Sequence, residues 1–156
     1  MWHCGLEKNI SKMRGYMSWK SEADTIKELS PKHILFLCVA NSARSQMAEG
    51  IARKLAPKGT IISSAGSRPS KVNPHSVDVL QEIGIDISSH ISKSVDSVDP
   101  QGVDIVITLC AEEVCPVFWG SAKLFHWGLP DPTSELDSFR AVRDELLKRL
   151  IYLFRK

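Results

Sequence analysis

The stretch "HILFLCV" at 33–39 is a continuous apolar run bounded by turn-forming residues. It is too short for a core helix and suits a strand buried on both faces. The next segment, "ARSQMAEGIARKLA", changes period: Met47, Ile51 and Leu55 recur at helical spacing, with Ala48 and Ala52 beside them. This strand-then-helix alternation constrains the fold more than any other feature. "TIISSAG" at 60–66 and "VDIVITL" at 103–109 read as two more strands, and "AKLFHW" at 122–127 as a fourth, shorter one. Between them, Asn73 can cap a helix that has Pro74 at its first position, Val77, Leu80 and Ile83 facing inward, and Gly84 past its end. Ser134 followed by Asp137 has the pattern of a capping box. Phe139, Val142, Leu146, Leu150 and Leu153 then mark the apolar face of a final helix, with Arg140, Asp144, Lys148 and Arg149 opposite.

Strands alternating with helices imply an α/β fold: a doubly wound, four-stranded parallel sheet with helices on both faces. Right-handed crossovers place every strand's C-terminal end on one edge. Cys38, Ser64 or Ala65, Cys110 and the loop "GLPDP" all fall on that edge, so residues distant in sequence gather around one site. Residues 31–156 are expected to form a single catalytic domain. Residues 1–30 are polar and lack sustained periodicity, and read as an extension, partly disordered or loosely docked. Ile26 and Leu29 offer it one turn of apolar contact, while Cys4, Trp2 and Trp19 have no assigned role.

With 156 residues, 43% of them hydrophobic and 24% charged, the chain can bury a real core. The net charge of +2 gives no reason to expect nucleic acid or a membrane surface as partner. The longest apolar run, Ile34 to Ala40, is far too short to span a bilayer. The N-terminus has no apolar core of the kind a signal peptide needs, so a cytoplasmic location is expected. In that compartment, Cys4, Cys38, Cys110 and Cys115 do not suit a static disulfide framework.

A cysteine in an apolar run is ordinarily a small buried hydrophobe. The residues after Cys38 argue for more. "VANSA" contains no large apolar residue to continue a core and must turn sharply from strand to helix. Successive backbone N–H groups in such a loop form an anion cradle at a helix N-terminus. Val39, Ala40, Asn41, Ser42, Ala43, Arg44 and Ser45 are therefore the expected oxyanion-binding residues. Asn41 tolerates a left-handed backbone, and Arg44 can hold a tetrahedral oxyanion with two parallel hydrogen bonds. The helix dipole and the Arg44 charge favour thiolate over thiol at Cys38, and Ser45 can donate to the sulfur.

The pattern C-x5-R-S resembles the phosphate-binding loop of the low-molecular-weight protein tyrosine phosphatase family, and the resemblance covers residues 32–156. Under it, Asp131 in "GLPDPTSE" is the general acid, stiffened by Pro132; a plain turn is the other reading of that stretch. "VITLCAEEVCPVF" adds two thiols, Cys110 and Cys115, that a phosphatase does not need. In this the chain resembles the thioredoxin-coupled arsenate reductases built on the phosphatase scaffold. The implied roles are Cys38 as nucleophile, Arg44 as clamp, Cys110 as second nucleophile and Cys115 as resolving thiol. Arsenate is the implied substrate, with phosphate or sulfate competing, and a thioredoxin-like dithiol is the reductant. Asn41, Glu49, Ser64 and Asp86 correspond to positions that bind a potassium ion in some members; Glu49 reads equally as a surface charge. No tightly bound cofactor and no structural zinc are expected, because Cys110, Cys115 and His126 lack a second ligand pair. The expected state is a monomer.

Arg68, His75 and His90 read as surface residues. Thr133 stands where the phosphatases have an aromatic residue after Asp-Pro, which favours a small inorganic substrate; Trp119 and Trp127 remain candidates for the mouth. Two other functions stay open: a phosphatase acting through a phosphocysteine, and a non-catalytic oxyanion-binding or redox-sensing module.

Overall fold

The computed structural model describes residues 8–111 and 120–155, with side chains from residue 19 onward. In chain order the elements are α1 (Lys8–Leu29), β1 (His33–Cys38), α2 (Arg44–Leu55), β2 (Ile61–Gly66), α3 (Pro74–Gln81), β3 (Ile105–Thr108), β4 (Lys123–His126) and α4 (Leu136–Phe154). Short 3-10 helices lie at Val95–Ser97 and Pro100–Gly102. The strands form one parallel sheet in the order β2-β1-β3-β4. The chain leaves β1 for a neighbour on one side, then returns to place β3 on the other. Ligands bind at such a reversal in an open α/β sheet, and the loop after β1 occupies it.

The apolar run of β1 is continuous because both of its faces are covered. Ile34 and Phe36 enter the large core formed with the four α-helices, and Leu35 and Leu37 enter a smaller one on the opposite face. That second core holds Ala65, Val103 and Val106, with Val95 and Val98 brought over by the 3-10 segment. The two faces are covered differently: the α-helices among the described residues pack on one, and the segment carrying the 3-10 turns packs on the other.

α3 starts as expected: the His75 N–H donates to Asn73 Oδ1 at 2.9 Å, with Pro74 at the first position. α4 buries Phe139, Val142, Leu146, Leu150 and Leu153, also as expected. Its start differs. The capping residue is Glu135, with no side-chain cap, and no Ser134–Asp137 box forms. Asp137 instead accepts from Arg140 Nη1 at 2.7 Å, and Ser138 Oγ donates to the Glu135 carbonyl at 2.6 Å. The carboxylate has an arginine one turn on, which wins it from the helix terminus.

The larger departure is the N-terminal segment. Residues 8–29 form a helix, and its C-terminal half is docked rather than loose. Trp19, Ala23 and Ile26 are at most 3% exposed and belong to the main core, whereas Leu29 is 41% exposed. The Trp19 ring stands edge-on to Trp127 at 6.3 Å and to Tyr152 at 5.5 Å. Three buried residues at helical spacing, separated by charges, make a stripe too narrow to show as sustained periodicity. Cys4 and Trp2 lie outside the described residues. Among those described, no helix is long and apolar enough to cross a membrane.

Candidate active site

β1 ends at Cys38 and α2 begins at Arg44, so the whole turn lies within Val39–Ala43. Asn41 makes this possible with φ at +47°. Its side chain is fully used: Nδ2 donates to Ser45 Oγ at 2.7 Å and to Ser64 Oγ at 2.9 Å. Oδ1 accepts from Gln46 Nε2 at 2.9 Å and from the Lys93 N–H at 2.8 Å. An asparagine that saturates both donors and both lone pairs holds the loop in one conformation.

The loop carbonyls face outward. Val39 O accepts from Arg68 N at 2.8 Å, Ala40 O from Ser92 Oγ at 2.9 Å, and Ser42 O from Asn73 N at 3.0 Å. Across a trans peptide, N–H and C=O point in opposite directions. The following N–H groups therefore turn toward the concave side, where an oxyanion would sit. Gly66, at the end of β2, permits this arrangement. A Cβ there would collide with the Val39 carbonyl and stand 2.8 Å from Asn41 N.

A pocket of about 290 Å³ opens on that side. Its floor runs from Cys38 to Arg44, one wall is Asp131 and Pro132, and Ser70, Asn73 and Phe139 complete it. Cys38 is 2% exposed, and its Sγ lies 2.8 Å from Ser45 Oγ. Arg44 is buried, with Nη1 donating to Leu129 O at 2.9 Å and to Leu109 O at 3.3 Å. Its Nη2 faces Asp131 Oδ1 at 3.6 Å. The fold thus brings Asp131, from a distant loop, to the strand–loop–helix unit that carries Cys38 and Arg44.

Two of the expected cradle residues act from behind. Ser45 and the Asn41 side chain are buried beneath the loop rather than lining the pocket. Ser70, Asn73 and Phe139 line the pocket without any sequence signal for that role. Asn73 is readable only as a helix cap, and Phe139 only as a core residue.

Glu49 is 2% exposed and is no surface charge. Ser64 Oγ donates to its Oε1 at 2.5 Å, Arg53 Nη2 stands 2.7 Å from Oε2, and Lys93 Nζ stands 3.6 Å from Oε1. His90, a surface residue by sequence, joins this network instead: its Nδ1 contacts Gln46 Oε1 at 3.0 Å. Desolvation is the main force lowering its pKa, partly opposed by the Glu49 charge. His75 packs edge-on against Phe139 at 5.1 Å.

Four residues are expected around a potassium ion. Asn41, Glu49 and Ser64 meet, but Asp86 is exposed and its Oδ1 accepts the Ser88 N–H at 2.8 Å in a local turn. Hydrogen bonding to the Ser88 hydroxyl is the first cause of its lowered pKa, and the bond to the Ser88 N–H the second. Arg53 and Lys93 face the Glu49 carboxylate.

Cys110 is fully buried just past β3, directly after the Leu109 whose carbonyl receives Arg44. Cys115 and Trp119 lie outside the described residues. Trp127 does not form the mouth; it is 1% exposed in the core, and its backbone N–H donates to Thr108 O at 2.8 Å. His126 directs Nδ1 at Thr108 Oγ1 at 2.7 Å. Among the described residues no group of three or more His, Cys, Asp or Glu could hold a metal ion.

Comparison with known proteins fits this geometry. The family model described as low molecular weight phosphotyrosine protein phosphatase matches residues 33–156. Arsenate reductase 1 of Staphylococcus haemolyticus is 40% identical over 125 residues, which cover 78% of this chain and 94% of that protein. A solved structure of an arsenate reductase in the oxidized state superposes with a TM-score of 0.71 at 35% identity, covering 79% of this chain and 96% of that one. A thioredoxin-dependent arsenate reductase of Corynebacterium glutamicum superposes with a TM-score of 0.61 at 26% identity, covering 87% of this chain and 68% of that one.

Proposed function

The chain belongs to the low molecular weight phosphotyrosine protein phosphatase family, and from that premise we propose that it reduces arsenate to arsenite. The observation that carries the reading is the second thiol. Cys110 is buried next to the carbonyl that anchors Arg44, at the end of the strand beside β1. Hydrolysis of a phosphocysteine by water has no use for it.

In the proposed sequence, arsenate enters the cradle and Arg44 offsets its charge. The Cys38 thiolate attacks arsenic while Asp131 protonates the departing oxygen, which leaves as water. This gives a thiolate–arsenate adduct still at As(V). Cys110 attacks Cys38 Sγ; the sulfur–arsenic bond breaks with its electron pair going to arsenic, and arsenite departs as As(III). The two electrons come from the two thiols, which become the Cys38–Cys110 disulfide. Cys115 then attacks Cys110 and frees Cys38, and a thioredoxin-like dithiol reduces the Cys110–Cys115 disulfide. The relay draws its electrons from thiols alone. Arg53 and Lys93 beside Glu49 support the view that the loop needs no added potassium.

Thr133 hydrogen-bonds within its own turn, its Oγ1 3.1 Å from Ser138 Oγ. It offers no ring to stack on an aryl phosphate, which supports an inorganic substrate. The deciding experiment is arsenite formation by the purified chain with arsenate, thioredoxin, thioredoxin reductase and NADPH, against Cys110→Ser. Turnover that the substitution abolishes supports the relay. Hydrolysis of an aryl phosphate, with no arsenite formed, would instead make the chain a phosphatase.

A further inference from the structure

α1 lies before the family match, which begins at residue 33. It nevertheless grips the segment that anchors the arginine of the site. Trp19 packs edge-on against Trp127, and the Arg149 guanidinium covers both rings, 5.4 Å from the centre of one and 6.0 Å from the other. Arg149 Nη1 also donates to Trp127 O at 3.3 Å. One turn along α1 from Trp19, the Glu22 carboxyl lies beside the His126 backbone, which lowers its pKa against the larger raising effect of burial. α1 therefore meets residues 126–127 at the Trp127 ring and beside the His126 main chain.

The other side of the same segment belongs to the site. Leu129 N donates to Leu109 O at 3.0 Å, and Leu129 O receives Arg44 Nη1 at 2.9 Å. Gly128 is packed so closely that a Cβ would lie 2.8 Å from His126 Nε2 and 3.1 Å from the Cys110 carbonyl. The Trp127 indole N–H is buried and has no hydrogen-bond partner among the described residues. Packing, not a hydrogen bond, fixes that ring. A contact that locates Trp127 thus also locates the Leu129 carbonyl two residues on.

We infer that α1 is a brace for the oxyanion clamp, with Trp19 as a positioning residue that sets Arg44 through Trp127 and the Leu129 carbonyl. The inference rests on the reading of the pocket as an oxyanion site and needs no particular chemistry there. Trp19 touches neither substrate nor Cys38. Its effect is to keep the guanidinium preorganised, so that binding an oxyanion does not have to order it.

The test uses the full chain and inorganic phosphate as probe. Alkylation of Cys38 by iodoacetamide is followed by mass spectrometry, and the phosphate concentration giving half-protection is measured alongside circular dichroism and Tm. Trp19→Leu is expected to raise that concentration at least fivefold in a folded protein. Trp19→Phe, which keeps an aromatic edge, is expected to stay within twofold of the parent. An unchanged half-protection concentration in Trp19→Leu, with only Tm lowered, would overturn the inference and leave α1 a stabilising addition. If Trp19→Leu does not fold, Glu22→Ala decides: a rise of twofold or more supports the brace, and no rise overturns it. A parent protein whose Cys38 phosphate does not protect would remove the oxyanion reading itself, and the inference with it.

Discussion

Arg44 and Asp131 face each other across the pocket with Nη2 and Oδ1 3.6 Å apart, one side chain 4% exposed and the other 68%. The buried guanidinium is held by backbone carbonyls and stays in place. The exposed carboxylate, on a loop stiffened by Pro132, can meet a leaving oxygen and exchange its proton with water. Asp131→Asn removes the proposed proton donor and, from the ionised form, one negative charge near the oxyanion. Turnover with arsenate is expected to fall by about 10²–10⁴-fold. Phosphate protection of Cys38 is expected to be retained or strengthened. A fall in turnover of less than threefold would show that another group delivers the proton.

The two remaining thiols of the proposed relay separate by stoichiometry. Cys110→Ser is expected to form no arsenite beyond background while phosphate still protects Cys38. Cys115→Ser is expected to release one arsenite per chain and then stop, because the Cys38–Cys110 disulfide has no resolving thiol. Rapid-quench counting of arsenite against protein distinguishes the two. Sustained turnover in either variant would break the proposed order of exchange.

Gly66 supports the cradle from the neighbouring strand. Gly66→Ala forces a methyl group against the Val39 carbonyl and the Asn41 N–H. The backbone has to move, at a cost of about 1–3 kcal/mol. Urea unfolding is expected to show that loss, and phosphate protection of Cys38 is expected to weaken at least tenfold. Full protection in this variant would mean that the loop is not fixed from β2.

Burial pushes the Glu22 carboxyl up to about 7, against the lowering effects of the His126 backbone hydrogen bond and of Arg149. The folded chain then holds a proton that the unfolded chain releases near 4.5. Stability from this group is complete below about 4.5 and is lost as pH rises to about 7. The imidazole of His126, which desolvation pushes down, acts with the opposite slope below its ordinary value of 6.5. Comparing Glu22→Gln with the parent cancels that contribution. The difference in urea midpoint is expected to grow in favour of the variant between pH 4.5 and 7, and a difference that does not vary with pH would contradict it.

Glu49 is flanked by Arg53 at 2.7 Å and Lys93 at 3.6 Å. Turnover in potassium chloride and in choline chloride of equal ionic strength is therefore expected to agree within twofold. Lys93→Met leaves part of a buried charge unmet and is expected to lower Tm. A potassium stimulation of fivefold or more in the parent chain would show that these side chains do not replace the ion.

The parts of the site that are legible in the sequence are those whose chemistry is local in the chain. Cys38, Asn41 and Arg44 sit within one strand–loop–helix unit, and Asp131 sits beside the proline that stiffens its loop. Glu49 is not decidable from its neighbours. A carboxylate in the middle of a helix reads as solvated until Ser64, Lys93 and His90 arrive from other segments. The Ser134–Asp137 box fails for a similar reason, since Arg140 offers Asp137 a better partner than the helix terminus.

The alternation of short continuous apolar runs with a 3.6-residue period determined a parallel α/β sheet, and with it the gathering of Cys38, Cys110 and Asp131 at one edge. Periodicity records which face of an element is buried, but not what covers it. Only the tertiary structure decided that Trp19, Ala23 and Ile26 dock on α4, that Phe139 and Asn73 close the pocket, and that two cations meet Glu49. Each of these contacts depends on segments far apart in the chain. Their energies come from packing and desolvation in the assembled core, which no single stretch of sequence contains.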